Sequence, residues 1–360
     1  MTLRPRRCYD IYMNEYVGNL HVHSTYSDGT GSIAEIALAA SRAGIDFVGV
    51  TDHHALTGLH KGEEGWHGKV LVVVGMEIGE EHNHYLAWRI SKDVPDNREN
   101  PQAFIDAVRR QGGIGFIAHP FEKGCKYGYS GHAFTWTDWG VKGFTGICIW
   151  NFVSQWKGPI TNPLKAVYYY LYRRGAVTGP DKDTLAAWDA QLAKVRSVAI
   201  GGTDAHAFRF GFLGMKAKIF PYEYIFRTIN THILTEDKFT GDVVHDREVV
   251  YAALEKGRCF VSFDLLGSGR GFEFTASNLT RKALMGDEIE ISDGLKLTVK
   301  LPCAAKVRLI RDGQTLREDF GVMHIHTVKK PGVYRVEVSK KGLLGGFRPW
   351  IFSNPIYVRP

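Results

Sequence analysis

The chain has 360 residues, 44% of them hydrophobic and 23% charged, which excludes a disordered or collagen-like chain and leaves room for about two domains. Forty-five Lys and Arg against 38 Asp and Glu give a net charge of +7, compatible with an anionic ligand but without a basic run that would bind nucleic acid. The five cysteines are odd in number and show no Cys-x-x-Cys, which favours reduced thiols in the cytoplasm over a disulfide framework.

Residues 17–52 read as strand, helix, strand. Ser32 and Glu35 form a capping box, Ile33, Ile36, Ala37 and Ala40 recur at helical spacing, and Gly44 supplies a stop. IDFVGVT is an apolar, β-branched run of the kind buried on both faces in a parallel sheet. KVLVVVGM and HYLAWRI read as strands, PQAFIDAVRRQ as a helix opened by Pro101, and GIGFIA, TGICIWN and SVAIGGT as further strands. The alternation predicts a parallel sheet or barrel. Two helical stretches, PLKAVYYYLYRR and DTLAAWDAQLAKV, form an insertion at about 160–195, and the Tyr168–Tyr170 run reads as lid or core, core packing being the expectation. The helix at 246–257 and the strand RCFVSFD close the first domain, residues 1–262. From 263 to 360, GFEFTA, LKLTVKL, AKVRLIRDG, HIHTVKK and GVYRVEVS alternate between turn signals, which predicts a small all-β, Ig-like sandwich. There is no secretory h-region and no run of 18 apolar residues, so neither a signal peptide nor a membrane span is expected.

Histidines number 15, against 13 prolines, and their positions carry the chemistry. His21 and His23 end the first strand and share one face. Asp28 follows in a Ser-Asp-Gly-Thr loop. Asp52, His53 and His54 end the next strand, Glu77 the third, His119 the GIGFIA strand, and Asp204 and His206 the last. The carboxyl edge of such strands is where α/β barrels assemble their sites. Imidazole and carboxylate together are ligands for Zn, Mn and Fe.

HVHSTYSDGT, VTDHHAL, GMEIG, IAHP and GGTDAH, in that order, resemble the successive motifs of the PHP (polymerase and histidinol phosphatase) superfamily over residues 17–262. The resemblance implies a distorted (β/α)7 barrel holding two or three divalent ions that hydrolyse phosphoesters. It implies one ion on His21, His23, Glu77 and Asp204. A second would share Glu77 and take His119 and the histidine opening the next strand, for which His84 fits better than His82. A third would sit on Asp28, His53 and His206. Asp52 would orient the cluster rather than bind metal. A water bridging two cations loses a proton near neutral pH and becomes a nucleophile. His206, Asp28 or His54 would protonate the leaving group, and Arg209, Lys123 and Lys126 are the candidates for holding the phosphate of a small anionic ester.

Two other readings keep the same cluster. A PHP barrel followed by GVYRVEV and RPWIFSNPIYV also looks like metallohydrolases that act on carbamates or carboxylic esters, and Trp136, Trp139, Trp150 and Trp156 could line a pocket for them, with aromatic core as the simpler alternative. The other is a metal-stabilised binding scaffold without activity. Nucleic acid is not an expected partner, and the sequence does not speak to oligomeric state.

Overall fold

This computed structural model describes residues 13–97, 99–125, 131–212, 215–342 and 345–360, the side chains of 209–212 and 215–218 excepted. The first elements are β1 (Asn14–Val22), α1 (Ile33–Ala43), β2 (Phe47–His53), α2 (Thr57–His60), β3 (Gly65–His67), β4 (Val70–Ile78), β5 (Tyr85–Trp88), α3 (Pro101–Arg110), β6 (Ile114–Ile117) and β7 (Gly146–Asn151). Next come α4 (Phe152–Lys157), α5 (Pro163–Leu171), α6 (Lys182–Leu192), β8 (Val198–Gly202), β9 (Arg209–Phe212), β10 (Met215–Lys218), α7 (Tyr222–Ile225), β11 (Ile229–Thr235), α8 (Val243–Lys256) and β12 (Cys259–Phe263). The C-terminal part is all strand: β13 (Glu273–Ser277), β14 (Lys282–Leu284), β15 (Glu288–Glu290), β16 (Lys296–Arg311), β17 (Gln314–Thr327), β18 (Gly332–Lys341), β19 (Phe347–Ser353) and β20 (Ile356–Arg359).

Local chemistry sets the helix ends. Ser32 Oγ accepts from Glu35 N–H while Glu35 Oε2 accepts from Ser32 N–H, and Gly44 closes α1 at φ 79°. Asp242 caps α8 and starts it three residues ahead of the expected 246, through a hydrogen bond of 2.7 Å from His245 N–H.

The architecture is mixed α/β around one large sheet. The pairs β1–β2, β2–β4, β6–β7 and β7–β8 are parallel. Strand β5 runs antiparallel to both β4 and β6, a reversal that the helix–strand alternation does not predict. No ladder joins β8 to β1 among the described residues. A single parallel bridge, Val22 to Ala205, links them, with His23 N–H donating to Ala205 O at 2.9 Å and Ala205 N–H to His21 O at 3.1 Å. From the other edge of β1 the sheet continues antiparallel through β11, β12 and β19 into the C-terminal strands.

Strand β4 shows why the apolar runs are continuous. Leu71 and Val73 enter one hydrophobic cluster, whereas Val70, Val72 and Val74 enter another on the opposite face. The C-terminal strands carry a third cluster, centred on Phe274, Leu297, Val336, Trp350 and Ile356. Two expectations fail here. LKLTVKL and AKVRLIRDG form one continuous strand, β16, rather than two. The Tyr168–Tyr170 run is not core: Tyr168 is 55% exposed and α5 buries none of its residues, because its apolar positions face solvent.

Candidate metal centre

Strand register assembles the site. His53 at the end of β2 lies opposite Glu77 in β4, and His21 ends the neighbouring β1. Close backbone approach is needed twice. A Cβ on Gly75 would lie 2.3 Å from Ala87 O, and one on Gly202 would lie 3.1 Å from His21 Cβ. Three side chains of the site sit on left-handed backbone: His54 (φ 68°), His119 (φ 25°) and Asp204 (φ 58°). Such strain persists only where the surroundings fix it, as at functional sites.

Glu77 is the hub. Its Oε2 lies 2.9 Å from His21 Nε2 and 3.0 Å from His23 Nε2, and each of these nitrogens is 3.3 Å from Asp204 Oδ1. The two imidazole nitrogens are 3.1 Å apart. Tetrahedral ligands at 2.0–2.1 Å from an ion are separated by about 3.3 Å, so these spacings fit one cation. Glu77 Oε1 faces the other way, 2.8 Å from His84 Nδ1 and 3.5 Å from His119 Nε2. A third group joins Asp28 Oδ1 to His206 Nε2 at 3.1 Å, His23 Nδ1 at 3.5 Å and His53 Nε2 at 3.9 Å. Each group places its donor atoms close enough to share an ion, and Glu77 and His23 each belong to two groups. His82 is half-buried and belongs to none of them.

The electrostatics suit cations. Burial raises the carboxyl of Glu77, but His21 and His84 pull it well below the usual range. Burial likewise opposes ionisation of Asp204 and Asp28, and their histidine neighbours lower both. Burial lowers His21, and drives His53 down to about 3. Burial also disfavours charge on His119, yet its hydrogen bond to Glu77 and the charge of Glu122 lift it to about 9. His23 is raised well above its usual value, with burial outweighed by hydrogen bonds to Asp204 and Glu77. The carboxylates therefore demand positive charge, which protons or metal ions can meet, and metal binding releases those protons. His53 Nδ1 and His84 Nε2 are buried with no hydrogen-bond partner among the described residues.

Supporting residues hold the ligand-type groups. Asp52 binds no cluster atom. Its Oδ1 accepts from Ser24 N–H and Ser27 Oγ, both at 2.7 Å, and its Oδ2 from Ser24 Oγ at 2.6 Å, which orders the loop carrying Asp28. Tyr222, which carries no sequence signal, ties the same loop down by donating to His23 O at 2.7 Å and accepting from Thr30 N–H at 3.2 Å. Asn151 Nδ2 lies 3.4 Å from His21 Nδ1. Glu122, three residues after His119, is buried beside it, and pairs with Lys157 at 3.3 Å. An i+3 carboxylate after a strand-end histidine was a signal within reach of the sequence.

The cluster opens into a cavity of about 250 Å³ that His54, Glu80, Phe134, Lys157 and Phe208 also line. His54 is half-exposed at this rim, 3.7 Å from Glu80. Of the phosphate candidates, Lys123 is not in this cavity. It is exposed and pairs with Asp181 at 3.1 Å. Lys126 lies outside the described residues, as does the side chain of Arg209. Trp136 and Trp150 are buried, and Trp139 and Trp156 pack against the same core, so none lines the metal-type cavity.

Fold and cluster together define a mixed α/β protein with a histidine–carboxylate site able to hold divalent cations. Residues 19–135 match the PHP domain family model. An uncharacterized protein of Methanocaldococcus jannaschii is 29% identical over 122 residues, which span 30% of this chain and 70% of the relative. A two-domain protein from Bacteroides vulgatus, described as containing a predicted PHP-like metal-dependent phosphoesterase, matches at 15% identity over 96% of both chains with a TM-score of 0.43. An amidohydrolase from Chromobacterium violaceum matches at 14% identity over 57% of this chain and 92% of its own, with a TM-score of 0.32. Likenesses this distant carry no activity across. Among the described residues no helix is long and apolar enough to cross a membrane.

Proposed function

We propose that this protein is a metal-dependent phosphoesterase that hydrolyses a small anionic phosphate ester. The observation that supports the reading is Glu77: one buried carboxylate facing two separate sets of imidazoles, with a third set on Asp28. In this reading His21, His23, Glu77 and Asp204 hold one ion, Glu77, His84 and His119 a second, and Asp28, His53 and His206 a third. Zn, Mn and Fe all suit such donors. Bound ions would neutralise phosphoryl oxygens and lower the pKa of water.

The chain's own residues do the rest. Lys157 lines the cavity as its buried cation and attracts the anionic ester. Asp28 is held ionised at neutral pH, so it orients His206 rather than donating a proton. His54, which lines the rim of the cavity, would protonate a leaving oxygen. We read the strands from β1 to β8 as a distorted (β/α)7 barrel within residues 1–262, and residues 263–360 as an Ig-like sandwich. The free Cys125, Cys148 and Cys259, all buried, support a cytoplasmic location.

Elemental analysis of the purified protein, joined to a panel of phosphomonoesters, phosphodiesters and carboxyl esters, tests the reading. Two or three ions per chain are expected, with turnover of a phosphoester that a chelator abolishes. Turnover of p-nitrophenyl acetate or a naphthyl carbamate with none of any phosphoester would overturn it.

A further inference from the structure

A second cavity of about 350 Å³ adjoins the first, and His119 lines both. It lies between the ends of β6 and β7, the helix α4 and the segment that joins α5 to α6. Phe121, Ile149, Pro159 and Tyr169 give it apolar walls, and Gln155 and Thr184 give it hydrogen-bonding groups.

Its electrostatics differ from those of its neighbour. The ionised groups on its wall, the histidine aside, are matched by opposite charges. Glu122 pairs with Lys157 at 3.3 Å, and Lys123 pairs with Asp181 at 3.1 Å. Among the described residues a second anion would find no unpaired Lys or Arg on this wall, and a neutral group would break no ion pair to enter. The size is at the low end of small-molecule pockets, which run from about 300 to 1,000 Å³. Phe121, stacked on Trp139 at 5.5 Å, and Tyr169 offer aromatic walls, against which rings pack well.

We infer that this cavity binds the neutral, ring-bearing leaving group of the ester whose phosphoryl group occupies the metal-type cavity. The inference rests on the phosphoesterase reading and names its substrate class: monoesters of a ring-bearing alcohol or phenol. Hydrolysis forms a P–O bond to water and breaks the P–O bond to the leaving oxygen. That oxygen ends with a proton supplied by the water, and the group departs as a neutral alcohol, matched to a pocket whose Glu122 and Lys123 are already paired with opposite charges.

Gly158 provides the test. It lines the cavity in a right-handed conformation (φ −52°, ψ −46°), and an added Cβ would meet only Gln155 O, at 3.5 Å. Gly158→Phe should lower kcat/KM for 1-naphthyl phosphate at least tenfold and leave methyl phosphate within twofold. Calorimetric binding of 1-naphthol to the full chain should weaken at least tenfold in parallel. Tyr169→Ala removes an aromatic wall, leaves intact the carbonyl that accepts from Trp156 Nε1, and should weaken naphthol binding even if Gly158→Phe folds poorly. Equal loss on both esters, or naphthol binding unchanged in both variants, overturns the inference. Naphthol binding that follows the variants without turnover of any phosphoester upholds the cavity's ligand and overturns the phosphoesterase reading instead.

Discussion

His232→Gln should cost the fold a charge clamp whose strength depends on pH. His232 lies in β11, fully buried, with Nδ1 2.7 Å from Glu15 Oε1 and Nε2 3.0 Å from Asp264 Oδ2. Burial alone would lower its pKa, but the charge of Asp264 and the hydrogen bonds to Asp264 and Glu15 raise it to about 9. Asp264 moves the opposite way: burial pushes it up, and His232 brings it down. These shifts describe one interaction and are counted once. A rise from 6.5 to about 9, at about 1.4 kcal/mol per unit, is worth about 3 kcal/mol. Because the folded-state pKa exceeds the unfolded one, this stability is complete below about pH 6.5 and disappears as pH rises through about 9. Urea unfolding in the presence of a chelator, at pH 6 and pH 9.5, reads it. The wild type should exceed the variant by about 3 kcal/mol more at pH 6 than at pH 9.5. Comparing the two pH values removes the constant penalty of leaving Glu15 and Asp264 without their partner. A wild-type advantage of equal size at both values would refute the assigned protonation and the clamp with it.

Three further outcomes test the site. Glu77→Gln should leave the protein short of at least one ion by elemental analysis, since the shared carboxylate faces both imidazole sets. His84→Ala should likewise lose an ion, whereas His82→Ala should keep the full complement; the reverse pattern would exchange their roles. Asp52→Asn removes an acceptor of three short hydrogen bonds, and should weaken metal binding about 10- to 100-fold through the Asp28 loop, read by titration with a fluorescent chelator.

Most of the candidate ligands were legible because they lie at or just past a strand end, Asp28 in its loop and His84 ahead of β5 being the exceptions. Periodicity finds the strand, and a polar residue where an apolar run stops identifies the position. Glu122 and Lys157 obey no such rule. Glu122 is placed by the turn after β6 and Lys157 by the end of α4, so their meeting across 35 residues is a property of the packed fold. The same limit explains β5. HYLAWRI reads as a strand, but its direction is set by pairing with β4 and β6, which local patterning does not encode. It also explains why two strands were expected where β16 runs continuously across 301–305: the register against β17 shifts there, while the ladders to β13 and β18 hold the strand on either side of the shift.

Charge was the least legible property. A surplus of +7 over the whole chain is compatible with an anionic partner or with none, and it says nothing about the site, where Asp28, Glu77 and Asp204 converge and demand positive charge of their own. An anionic ester approaching this cluster without bound ions would meet three carboxylates held ionised by their surroundings. In the phosphoesterase reading, metal ions would thus serve to bind the substrate and not only in the chemical step. Metal removal should therefore abolish binding of inorganic phosphate as well as turnover, and retention of phosphate binding in chelator-treated protein would show that the global surplus, through residues such as Lys157, is sufficient to capture the anion.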